Sequence, residues 1–144
     1  MSTEWYLSWW ARGEPQAVAV GAMLEAMAPL GAAVEEGQVV LTLPDQPSGH
    51  DRAQVVTVDT THGHASGLVI IRPLESDALK RVLYGLMRLG DAIIYAPDAE
   101  YPVTLGAQVA RELPAGMIDS LGRPRVAATE DEFCRLLAGW YGSA

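Results

Sequence analysis

The sequence predicts an α+β fold: an antiparallel sheet meander with helices packed on one face and a helical C-terminal tail. Three observations carry that prediction. Segments rich in β-branched residues follow one another at 38–43, 54–59 and 67–72 with only loops between them, as neighbouring antiparallel strands do. Apolar residues at helical spacing flank this block on both sides, at 20–30 and 79–87. A helix with its own start signal closes the chain at 130–141.

Residues 5–10 read Trp-Tyr-Leu-Ser-Trp-Trp, and aromatics favour a pleated, half-buried surface, so the first element is a strand. A helix over about 15–30 follows, with Pro15 in its first turn, where a missing N–H costs nothing. Val20, Met23, Leu24, Met27 and Leu30 form its apolar stripe, and Pro29 with Gly31 ends it. Pro44 closes the strand at 38–43, and 45–51 is a loop containing Pro47, Ser48 and Gly49. The polar stretch 60–66 connects the next two strands as a hairpin.

Ser76 is an N-cap for a helix over 76–89, whose stripe is Leu79, Val82, Leu83, Leu86 and Met87. Gly90 stands where a left-handed C-terminal residue belongs. An apolar strand at 92–96 stops at Pro97. Two short helical turns at 105–113 and 115–121 are parted by Pro114, and 125–128 reads as an edge strand. Thr129 and Glu132 make a capping box for the last helix, with Phe133, Leu136, Leu137 and Trp140 on one face. The expected core is Leu24, Met27, Val40, Val56, Val58, Val69, Ile71, Val82, Leu83, Leu86, Ile93, Phe133 and Leu137. No repeat or linker interrupts residues 1–144, which read as one globular domain.

The charge is distinctive. Eighteen Asp and Glu against ten Lys and Arg give a net charge of -8, scattered through a chain that is 49% hydrophobic. Such charge belongs to a folded surface, which repels nucleic acid and anionic membrane and attracts basic partners. The segment 17–34 has Glu25 as its one charge, but its small residues and Pro29 fit a buried helix better than a membrane span. The single cysteine, Cys134, fits a reducing compartment, and no basic leader precedes the first apolar stretch. The expectation is a cytoplasmic protein. One lysine against nine arginines, with abundant alanine, hints at a GC-rich bacterial genome.

Candidate chemistry is sparse. His62 and His64, with Asp59 before them and His50 and Asp51 in the neighbouring loop, are the best metal-ligand candidates. Gly63 and Gly67 put them in a turn, where polar side chains sit in water, so no metal and no cofactor is expected. Ser66 beside His64 is followed by a strand, whereas a nucleophile elbow needs a helix there. Asp98 and Glu100, just past a strand end, read as solvated carboxylates rather than an acid/base pair. Cys134 lies next to an apolar stripe as a packing residue, and Arg123 and Arg125 read as surface ion-pair partners. No phosphate-binding glycine pattern is present. Trp9 and Trp10 are adjacent in a strand, so they face opposite sides. One enters the core and the other faces outward, unless the final helix with Trp140 and Tyr141 covers it. Trp is enriched at interface hot spots, which makes Trp9 or Trp10, with Asp98 or Glu100, the candidate partner contacts.

The opening Trp5-Tyr-Leu-Ser-Trp9-Trp10, the stretch Gly90-Asp-Ala-Ile-Ile-Tyr95-Ala-Pro97 and the acid-capped last helix together resemble the small acidic immunity proteins of bacterial polymorphic-toxin and type VI secretion systems. The resemblance implies an inhibitor, not an enzyme, that occludes a toxin, often a nuclease, by direct binding. The alternatives are a small metal- or ligand-dependent enzyme or ligand-binding domain built on Asp59, His62 and His64, and a homodimer whose partner is itself.

Overall fold

The computed structural model describes residues 4–46, 52–59 and 62–141. Eleven strands are described, β1 (Glu4–Ala11), β2 (Glu14–Pro15), β3 (Val18–Ala19), β4 (Ala33–Glu35), β5 (Gln38–Thr42), β6 (Ala53–Thr57), β7 (His64–Ala65), β8 (Gly67–Ile71), β9 (Ala92–Tyr95), β10 (Val103–Thr104) and β11 (Arg125–Val126). The helices are α1 (Val20–Met27), α2 (Asp77–Met87), α3 (Val109–Glu112), α4 (Met117–Leu121) and α5 (Glu130–Tyr141). The fold is α+β.

The main sheet runs β11-β10-β9-β1-β8-β6-β5-β4, with β2 hairpinned onto β1. The predicted meander is present: β5 pairs β6 and β6 pairs β8, both antiparallel. The first strand, β1, lies between β8 and β9, antiparallel to each. Only β10 and β11 run parallel.

Strand alternation sorts the sheet into two faces. The inner face carries Trp5, Leu7, Trp9, Val39, Leu41, Val56, Leu68, Ile70 and Ile94, all buried with Met23 and Met27 of α1, Leu79, Leu83 and Leu86 of α2 and Phe133 and Leu137 of α5. The core expectation fails in phase on two strands. Val40, Val69 and Ile71 point to the opposite face and are half-buried, as is Leu24, because the flanking residues Val39, Leu41, Leu68 and Ile70 occupy the inner positions. Runs of consecutive apolar residues hide which alternate set is buried.

Helix α1 starts at Val20, not near Pro15. Arg12 and Gly13 take positive φ values of 53° and 78°, making a two-residue hairpin turn, and Pro15 pairs with Trp10 on β2 instead. Gly90 is not left-handed. A Cβ there would stand 3.1 Å from Trp9 Cδ1, so glycine is needed for close approach. The 60–66 connection is more than a solvated turn, since β7 pairs with β3 and Gly63 O accepts the Val20 N–H at the start of α1.

Helix α2 is held at its N-terminus from two sides. Ser76 Oγ accepts the Leu79 N–H at 3.0 Å and donates to Asp45 Oδ1 at 2.7 Å. Burial alone would raise the Asp45 pKa, but the Ser76 hydroxyl and the Ala78 N–H outweigh it and hold the carboxyl below its usual range. At the start of α5, Thr129 Oγ1 accepts the Glu132 N–H as predicted, while Glu132 reaches the Ala128 N–H rather than that of Thr129. Trp5 meets Trp140 and Tyr141 edge-on at 5.1 and 5.4 Å, joining the first strand to the last helix. Among the described residues no helix is long and apolar enough to cross a membrane; segment 17–34 is split between β3, α1 and β4.

Candidate partner-binding face

The outer face of the sheet has two halves. At the β9–β10 end, Ile93 is buried with Val109 of α3 and Leu113, and Trp10, Met117, Ile118 and Leu121 pack on them. At the other end the outward residues belong to neither packed cluster. Tyr6 is flanked by Val69 on β8 and Tyr95 on β9, and Val40 lies opposite Val55. These five and Ile71 are half-buried, an apolar and aromatic surface with no described helix over it.

The rings of Tyr6 and Tyr95 stack at 5.3 Å and an interplanar angle of 18°. The Tyr6 hydroxyl donates to Glu4 Oε2 at 3.1 Å, and that bond, with the carboxylate's charge, raises the phenol pKa. Because Tyr6 opposes Tyr95 in an antiparallel pair, Glu4 and the turn beyond β9 fall at the same end of the sheet. Asp98 and Glu100 are exposed in that turn. Three carboxylates thus border the end of the face that carries the tyrosine pair.

The proposed contacts divide accordingly. Asp98 and Glu100 are exposed as expected. Trp9 is a correction: at 0% exposure it lies in the inner core, and its Nε1 donates to Leu86 O in the last turn of α2. Trp10 is the outward member of the pair, but the cover over it comes from α4 rather than from α5, and its Nε1 donates to Ser8 Oγ at 2.8 Å. Neither indole is offered on the open half. Tyr6 and Tyr95 were missed because the two adjacent tryptophans drew attention from the alternation Tyr6-Ser8-Trp10, which already marks the outward side of β1.

The histidine turn is arranged differently from a metal site. His62 is 79% exposed, and its Nδ1 lies 2.8 Å from Asp59 Oδ2. Gly63, with φ 74°, breaks the alternation that would have put both imidazoles on one side, and His64 belongs to the β3–β7 pair. His50 and Asp51 lie outside the described residues. Among those described, no group of three His, Cys, Asp or Glu side chains is placed to hold a metal ion. Cys134 is half-buried on α5, and burial pushes its thiol pKa up. Arg125 does not enter an ion pair; its guanidinium sits over the Tyr101 ring at 4.3 Å.

Compared with protein-family models, with curated proteins and with solved structures, the chain matches none of them.

Proposed function

We propose that the chain is a binding protein, an immunity-type inhibitor that neutralises a basic, nuclease-like bacterial toxin domain in the cytoplasm. The observation that carries this reading is the open half of the outer sheet face, with its tyrosine pair bordered by Glu4, Asp98 and Glu100. Tyrosine supplies large contact area at low conformational-entropy cost, and stacked, partly ordered rings lose little freedom on docking. The surrounding net charge of -8 steers a cationic domain toward that face and speeds encounter. A strand-built surface is also rigid, which keeps the ordering cost of association small.

The direct test is calorimetric titration of the chain with the basic product of a neighbouring gene. Tight binding is expected, with Tyr6→Ala and Tyr95→Ala each weakening it by about 2 kcal/mol or more through faster dissociation. Glu4→Lys with Asp98→Lys should instead slow association, and raising salt should do the same to the unaltered chain. Absence of binding to any basic neighbour, together with self-association through Tyr6 and Tyr95, would replace the toxin by a second copy of this chain.

A further inference from the structure

We propose that the β11 edge is a second docking site, for an extended peptide that ends in an aliphatic residue and a free carboxylate. Strand β11 is last in the sheet. Arg125 N–H reaches Pro102 O and Ala127 N–H reaches Thr104 O, each at 2.9 Å. Backbone groups alternate in direction along a strand, so Val126 turns its own N–H and C=O away from β10, toward the open edge. Its side chain is 43% exposed. Beside it lies a groove of about 350 Å³ lined by Thr104, Ala107, Ala110, Ile118, Val126 and Arg123.

Arg123 is the charged residue of that lining, and no carboxylate among the described residues pairs with it, although the Glu100 carbonyl passes near Gly122. In a chain of net charge -8, an unpaired guanidinium on the lip of an apolar groove has an anion as its complement. Strand geometry places that anion. A peptide added antiparallel to β11 exchanges both hydrogen bonds with Val126, and the side chain of the residue opposite Val126 falls on the groove side. Its chain then runs toward Arg123, so a terminal carboxylate shortly beyond the anchored side chain meets the guanidinium. The opposite sheet edge differs: on β4, Val34 is 50% exposed, but Glu35 and Glu36 follow it, a composition that discourages strand addition.

The test is an array of short peptides with randomised C-terminal positions, presented both as free acids and as carboxamides. Binders are then measured by fluorescence polarisation. Selection of Leu, Val or Ile at the end is expected, with amidation or Arg123→Gln each weakening binding roughly tenfold or more. Val126→Pro, which removes the edge N–H, should weaken it too, whereas Tyr6→Ala on the other half of the face should leave it unchanged. Arg123 is exposed, so Arg123→Gln reads the site without threatening the fold. No selected peptide, equal binding of acid and carboxamide, or equal binding to the Arg123→Gln chain would overturn the proposal. A free short-chain aliphatic acid binding as tightly as the peptide would overturn strand addition in favour of a small-acid pocket.

Discussion

The two halves of the outer sheet face are built by the same alternation and end differently. At the β9–β10 end, Ile93 and Trp10 lie beneath α3 and α4; across β8, β6 and β5, Val69, Ile71, Val55 and Val40 have no such cover. The cause is in the connections. Antiparallel neighbours join through short loops, which carry no helix, and β5, β6 and β8 are joined that way. The parallel pair β10–β11 requires a crossover, and the chain between Thr104 and Arg125 supplies it by laying α3 and α4 over the sheet. Topology, rather than hydrophobicity, decides which apolar surface becomes core and which stays available to a partner.

The largest expected effect separates the inner face from the open half. Trp9→Ala should cost about 3–5 kcal/mol, since it empties a fully buried site and removes the bond to Leu86 O. Tyr6→Ala should cost no more than about 1 kcal/mol, as a change on a half-exposed surface. Urea denaturation measures both, and equal losses would mean that the open half is a second core. Gly67→Ala probes the boundary between the halves. Its Cβ would fall 2.8 Å from Leu7 O and 3.2 Å from Ser8 Cβ, prising β8 from β1. A loss of about 1–3 kcal/mol is expected by the same measurement, and a neutral result would show that the central strands have slack.

A smaller, pH-dependent effect belongs to the inner side. The folded Asp45 pKa lies below its unfolded value of about 3.9, so its contribution is fully present above that value. It is lost as pH falls through the folded pKa. Stability followed from about pH 6 to about pH 2 should therefore drop more steeply in the unaltered chain than in Asp45→Asn, while Tyr6→Ala follows the unaltered chain. The smallest effect concerns the hairpin whose Gly13 N–H reaches Glu112 O of α3. Arg12→Asn should stabilise it by a few tenths of a kcal/mol at about the limit of measurement, because asparagine tolerates φ 53° better than arginine.

Elements whose signals are local were legible. Ser76 caps α2, the Thr129–Glu132 pattern starts α5, and Pro114 divides α3 from α4, because each depends on neighbours a few residues away. What depended on distant partners was not. Nothing local places β1 between β8 and β9, or shows that Gly90 makes room for Trp9 rather than ending a helix. The candidate site suffered likewise. Exposure of Asp98 and Glu100 follows from their turn, whereas the choice between Trp9, Trp10 and Tyr6 required knowing that α4 covers one half of the outer face and leaves the other.

The central position of β1 has a consequence for how the molecule is assembled. Its neighbours on the two sides are residues 67–71 and 92–95, so ribosomal synthesis completes Trp5, Leu7 and Trp9 long before either flank exists. Pairings of such sequence separation close slowly compared with the β5–β6 hairpin, which can zip from nearby residues. Until β9 emerges, a nascent chain presents a strand rich in tryptophan with one edge unpaired, the kind of segment on which misassembly and chaperone capture act. A chain truncated just before Ala92 would hold that state permanently, and its aggregation would report how strongly the fold relies on the last strand to seal the first.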